Sequence, residues 1–239
     1  MNATAFSQKT VIEHLQELRY RLLLSALSLF IGSALGFVFY KPLLQLLLSP
    51  LKQSLYYTSP AGGLSLIFTL CLIVGALFSL PFFMYQAFKF LEPAIPNFSR
   101  HLLFILVIDS CLLMFLGISF AYFISLPASL NFLSGFGFDN IKPIITTQEY
   151  FSFVSRYTLG FGILFQLPLA MLIVNHLYHL SVKKLLGFQR YTIVASFILA
   201  AILTPTPDPL NQTIMALPII ILFYLSLILV WYVNRAGRK

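Results

Sequence analysis

Charge is what this chain has least of. Only 9% of its 239 residues are Asp, Glu, Lys or Arg, 59% are hydrophobic, and the mean hydropathy is +0.90. A soluble domain carries about 25% charged residues, so an integral membrane protein is implied. Acidic residues are the scarcer sign, seven against fifteen basic. The resulting net charge of +8 does not mark a nucleic-acid binder, because the cations sit in short loops and tails between apolar runs. Cysteine is almost missing too: Cys71 and Cys111 lie inside apolar runs and read as small buried hydrophobes, with no sign of disulfide or redox chemistry. There is no HExxH helix and no GxxxxGK[ST] loop, so the signatures of an intramembrane metalloprotease and of a nucleotide phosphate cradle are absent. Any work done draws on something other than bound nucleotide. His176 and His179 stand in a loop without carboxylate or thiol company and read as interfacial polar residues; no metal or cofactor is expected. The first twenty residues lack an apolar core and a small-residue cleavage site, so they read as mature sequence.

What is present is a series of six apolar runs, at about 22–39, 66–88, 102–126, 151–174, 191–203 and 213–233. They predict an all-α membrane protein of six spans in a single polytopic domain. Lys and Arg decide the orientation. Lys9, Arg19, Arg21, Lys89, Arg100, Lys183, Lys184, Arg190, Arg235, Arg238 and Lys239 fall on the side holding both termini, and only Lys41, Lys52 and Lys142 on the other. The positive-inside rule therefore puts both ends in the cytoplasm.

Proline shapes the spans. Pro81, Pro168 and Pro218 each remove a backbone hydrogen bond inside a run and bend it, which predicts a bent wall with a concave side. The run 191–203 rises roughly 20 Å as a helix, short of a ~30 Å hydrocarbon core. The fifth and sixth spans are expected to be short, with local thinning of the bilayer to meet them. Pro127 is expected to end the third span, and Tyr40, Lys41 and Pro42 to close the first. The stretch after it, LLQLLLSPL, reads as a short interfacial helix. No internal repeat is evident, which argues against inverted-repeat transporter designs.

Three polar groups sit within the runs. Asp109 lies roughly 10 Å above the start of its span, and Gln166 roughly 22 Å below the outer start of the fourth. Their depths match, which predicts a hydrogen bond between them. Arg156 is near the outer side, where it can snorkel. A polar group in lipid is by default functional, with packing glue as the plain alternative.

The last polar segment before the first span, VIEHLQELRYRL at 11–22, reads as a helix with Val11, Leu15, Leu18 and Leu22 on one face. Glu13 and Glu17 lie opposite, and Glu17 precedes Arg21 by four residues, the favourable order for an ion pair. The plain reading is a solvated amphipathic helix at the membrane surface. The sharper one is a negative patch offered to a basic partner.

Five blocks fall in order along the chain: HLQELRYRL at 14–22, FLEPAIP at 90–96, FLGISFAYFISLP at 115–127, GFGILFQLPLAM at 160–171 and TPTPDPLNQTIMALP at 204–218. Together they resemble the TatC family, the six-span receptor subunit of the twin-arginine protein translocase, over essentially the whole chain. The resemblance implies a translocase subunit and not an enzyme. It implies binding of twin-arginine signal peptides of folded precursors at the cytoplasmic face, recruitment of single-span TatA- and TatB-type partners, self-association, and transport driven by the protonmotive force. The implied location is the bacterial cytoplasmic membrane, ahead of thylakoid or mitochondrial inner membranes.

The resemblance also implies site residues. The family's N-terminal glutamate maps onto Glu17 with Arg19 beside it, and carboxylates suit bidentate guanidinium binding. Its second glutamate, in the loop that begins at Phe90, would fall at Ser99, and Glu92 or Glu13 is left to supply that charge. A fourth-span glutamate is here Gln166, and a sixth-span glutamate is here Tyr224. Thr204, Asp208 and Gln212 match the outer turn beside the partner-facing fifth span, although helix termination alone accounts for most of Pro205, Pro207 and Pro209. Pro50 matches a proline of the periplasmic cap. The competing reading from residues alone is an ion-coupled small-solute transporter with Asp109 and Arg156 on its pathway.

Overall fold

The computed structural model describes residues 11–49, 55–57, 59–95, 99–134, 145–178, 180–203 and 209–236. The chain folds as helices α1 (Val11–Leu48), α2 (Gly62–Leu91), α3 (Arg100–Phe120), α4 (Leu126–Ser134), α5 (Thr147–Leu164), α6 (Leu167–Tyr178), α7 (Val182–Gly187), α8 (Gln189–Leu203) and α9 (Pro209–Ala236). A short 3-10 turn, Glu92–Ala94, follows α2, and a π-helical segment, Ala121–Ser125, joins α3 to α4. The described residues contain no strand, only one bridge between Tyr56 and Thr146. Five helical segments are long and apolar enough to cross a membrane, and Gln189–Leu203 is a shorter apolar sixth. This is a multi-pass membrane protein.

Packing runs along an open row. α1 lies on α2, α2 on α3, α3 on α5, α6 on α9, and α9 on α8. The end of the row where α1 begins is called the near end. α9 also finishes there, because its last turn pairs with that of α6. The main core lies between α2, α5, the π segment and α9, with Leu70, Ala121, Val154, Tyr157, Phe161, Met215 and Ala216 all fully buried.

Small residues set the α1–α2 distance. A Cβ on Gly32 would come within 2.8 Å of the Gly75 carbonyl, and one on Gly75 within 2.2 Å of Ser33 Oγ. Gly32 and Gly36 form the GxxxG spacing that lets two membrane helices touch through their backbones.

Several proline expectations are corrected. Pro42 does not close the first helix: α1 carries on through it to Leu48, so the separate interfacial helix is the last part of the same rod. Pro127 does not end the third helix either. A π segment with i→i−5 bonding, as from Leu126 N–H to the Ala121 carbonyl, precedes it, and α4 then runs through Pro127 to Ser134. The fourth span is broken at Phe165–Gln166 ahead of Pro168 and has two halves, α5 and α6. The fifth helix is short, at 15 residues. The sixth is not: α9 has 28 residues, about 42 Å at 1.5 Å per residue. Any mismatch with the bilayer rests on α8 alone.

Candidate functional site

At the near end, α1 turns its polar face to the protein. Leu15 and Leu22 are 59% and 55% exposed, whereas the side chains of Glu17 and Arg21 are only 15% and 14% exposed. The helix packs its polar stripe on the end of α2 through Arg21 and Gln86 and turns Leu15 and Leu22 outward. In a membrane this is the cheaper arrangement, since leucine costs nothing against lipid and a charge needs a partner.

Arg21 is that partner. Its Nε donates to Glu17 Oε1 at 2.9 Å and its Nη2 to the same oxygen. Its Nη1 donates to Gln86 Oε1 at 3.0 Å, so one guanidinium clamps a carboxylate of α1 to a buried amide of α2. His14 Nδ1 lies 4.0 Å from Glu17 Oε2, and its ring stacks on Phe90 at 4.2 Å and 15°. Beside it, Lys89 Nζ donates to the Tyr85 hydroxyl at 3.3 Å and lies over the same ring. The arrangement presents a carboxylate whose charge is shared with one internal guanidinium, next to an aromatic shelf.

The expected site residues divide accordingly. Glu17 and Phe90 come together. Glu13 is exposed one turn earlier, and Arg19 is exposed on the outward face; the arginine beside Glu17 is Arg21. Glu92 is exposed at the start of the 3-10 turn. Ser99 stands in for no carboxylate: its side chain caps α3 by accepting the Leu102 N–H at 3.1 Å. Gln86 and His14 were missed, although the i,i+3 spacing of His14 and Glu17 and the i,i+4 spacing of Gln86 and Phe90 put each pair on one helix face.

Halfway along the row, the expected Asp109–Gln166 bond is absent. Gln166 instead pairs with Ser110, whose Oγ donates to Gln166 Oε1 at 2.6 Å while Gln166 Nε2 donates to the Ser110 carbonyl at 3.0 Å. The matching depth was right, but one residue along a helix is a turn of about 100°. Ser110 is fully buried and Asp109 is exposed. Arg156, exposed, donates to the Ser152 carbonyl of its own helix at 3.2 Å. Tyr224, the other departure, donates to Gln189 Oε1 at 3.3 Å and ties α9 to the start of α8.

At the far end, carbonyls at the end of α1 accept from tyrosines. Tyr150 donates to the Leu47 carbonyl at 2.6 Å and Tyr122 to that of Leu46. The Tyr56 carbonyl accepts the Thr147 N–H at 3.0 Å, which pins the α1–α2 connection to α5. Gln212 Nε2 donates to the Phe197 carbonyl at 2.7 Å, joining α9 to α8. Pro50, Thr204 and Asp208 lie outside the described residues.

Comparison with known proteins gives one answer. The family model described as Sec-independent protein translocase protein (TatC) matches residues 13–218. The Sec-independent protein translocase protein TatC of Aquifex aeolicus is 35% identical over 95% of this chain and 97% of its own length. That of Synechocystis is 32% identical over 91% and 86%. A crystal structure titled as the twin-arginine translocase receptor TatC in DDM superposes with a TM-score of 0.82 at 36% identity, covering 91% of this chain and 99% of the other. A match of that length, reaching from the clamp at Glu17 to the start of α9, places this chain in the TatC family of Sec-independent protein translocase components.

Proposed function

We propose that this chain is the receptor subunit of a twin-arginine translocase, sitting in a bacterial cytoplasmic membrane with both termini inside. The near end is then the cytoplasmic face, where it binds the paired arginines of a folded precursor's signal peptide. The observation that carries the reading is the Glu17–Arg21–Gln86 clamp. A membrane protein with seven acidic residues in all spends one of them as a mostly buried carboxylate at this end, already in guanidinium-binding geometry. Glu13 and Glu92 add negative charge around it, and the His14–Phe90 stack flanks it.

Recruitment of single-span TatA- and TatB-type partners belongs to the α8–α9 hairpin, where Gln212 fastens the two helices and most of the α8 surface is uncovered. Copies of this chain also associate with one another, and transport is driven by the protonmotive force. The solute-transporter reading loses its support, because Asp109 and Arg156 are both exposed, belong to different helices and line neither the cleft between α6, α7 and α9 nor the apolar cavity between α1, α2, α3 and α5.

Site-specific crosslinking tests the proposal. A twin-arginine precursor is expected to crosslink to probes at residues 13–21 and 90–101, and a twin-lysine version far less. Equal labelling by both precursors, or labelling confined to α8 and α9, would refute it.

A further inference from the structure

A cleft of about 1080 Å³ opens at the near end between α6, α7 and α9, on elements that take no part in the Glu17 clamp. Its floor is a closed amide pair. Asn175, 3% exposed, donates to Asn234 at 2.9 Å, and Asn234 donates back at 3.3 Å. Asn175 Oδ1 also accepts the Leu180 N–H at 2.9 Å, and Asn234 Nδ2 also donates to the Leu180 carbonyl at 3.0 Å. These bonds lock the α6–α7 turn against α9 and fix the cleft's width, so recognition falls to the walls.

The walls are basic. Lys183 and Arg235 line the cleft together with the imidazole of His176, and no carboxylate is among the described lining residues. The Arg235 guanidinium lies over the Trp231 ring at 5.2 Å, which holds it at the rim. Depth is marked by exposed aromatics: Tyr178 at 75%, Trp231 at 48% and Tyr232 at 67%. Such a belt sits at the headgroup level of a bilayer. Leu172 and Trp231 continue the cleft from that level toward the apolar zone.

We infer that this cleft holds the headgroup of an anionic phospholipid, with the phosphate between Lys183 and Arg235 and an acyl chain leaving past Leu172 and Trp231. Charge selects the occupant. Two cations, with no carboxylate among the described lining residues, call for an anion. Aromatic depth favours a membrane lipid over a water-soluble anion. Each cation near an anionic surface contributes about a fivefold gain in binding.

The test uses the full chain purified in detergent, titrated with phosphatidylglycerol or with phosphatidylcholine of the same acyl chains and followed by native mass spectrometry. Wild type should bind phosphatidylglycerol at least tenfold more tightly. Lys183→Gln/Arg235→Gln should lose roughly 30-fold for phosphatidylglycerol and nothing for phosphatidylcholine. Lys41→Gln/Arg156→Gln, distant from the cleft, should stay within about twofold of wild type. Thermal melting supplies a second readout: phosphatidylglycerol should raise the Tm of wild type, and the single variant Lys183→Gln should lose most of that rise. Equal affinity for the two lipids, or an unchanged phosphatidylglycerol affinity in the double variant, would overturn the inference. So would inorganic phosphate at millimolar concentration binding the cleft while phosphatidylglycerol does not. An acidic protein segment that co-purifies with wild type but not with the double variant, at unchanged lipid affinity, would give the cleft to a protein partner instead.

Discussion

Replacing Glu17 with Gln separates two duties of one carboxylate. In the native clamp both Arg21 bonds go to Oε1, one of them at 2.9 Å, and an amide oxygen at the same place can still accept them. The shape therefore survives Glu17→Gln, while the charge that would hold an incoming arginine is lost. A hydrogen bond to a charged partner contributes about 1.5–3 kcal/mol, so affinity for a twin-arginine peptide should fall roughly 10–150-fold. Glu13 is exposed and screened, and an exposed pair contributes about 0–1 kcal/mol. Glu13→Gln should therefore cost less than about fivefold. Glu17→Ala removes the carboxylate and the acceptor together, so it should weaken binding at least as much and lower the melting temperature as well, because Arg21 keeps only Gln86. The assay is fluorescence anisotropy of a labelled signal peptide on the detergent-solubilised protein, with a twin-lysine peptide as control and melting curves for each variant. Near-wild-type binding by Glu17→Gln, or equal losses for Glu13→Gln and Glu17→Gln, would refute the reasoning.

Removing the Ser110–Gln166 pair through Gln166→Leu should cost about 0.6–1.7 kcal/mol of membrane packing and impair export more than peptide binding, whereas Gln166→Glu should export within a few fold of wild type. A double-mutant cycle with Ser110→Ala measures the pair by thermal unfolding, and a coupling near zero would dismiss it. Gly75→Ala drives a Cβ to within 2.5 Å of the Ser33 backbone nitrogen. It should lower stability by about 1–3 kcal/mol and weaken peptide binding as α1 parts from Gln86; an unchanged Tm would show that the helices do not meet there. Inserting about five leucines into α8 lengthens it to roughly 30 Å. Insertion and peptide binding should persist while export fails, and normal export would remove the short helix from the mechanism.

The helical class and the shortness of α8 were legible because both follow from run length. Glu17–Arg21 was legible because an i,i+4 pair is local. What lay beyond reach was the side of a helix that faces protein and not lipid. In water the apolar face of α1 would turn inward; in a membrane both faces can meet apolar surroundings, so Leu15 and Leu22 gave no direction. The same ambiguity hid Ser110 behind Asp109, since depth is read from residue count but rotation is read from contacts. Proline misled for a different reason. At Pro42 the helix simply continues, and at Pro127 it continues after a π segment, a choice that depends on neighbouring backbone and leaves no mark in composition. The signal for the α1–α2 contact was present in GSALG at 32–36 and went unread.

α1 is fixed at three heights: by Arg21 on Gln86 near one end, by Gly32 and Gly36 against α2 in the middle, and by its last carbonyls on Tyr122 and Tyr150 at the other. A helix of 38 residues reaches about 57 Å, so it is a shaft held in bearings at both ends and keyed along its length. Advancing its register by one residue would swing Glu17 through about 100° and at the same time pull the Leu46 and Leu47 carbonyls off their tyrosines on the opposite side of the membrane. Torque applied to the clamp is therefore either resisted as a whole or delivered to the tyrosines at the far end.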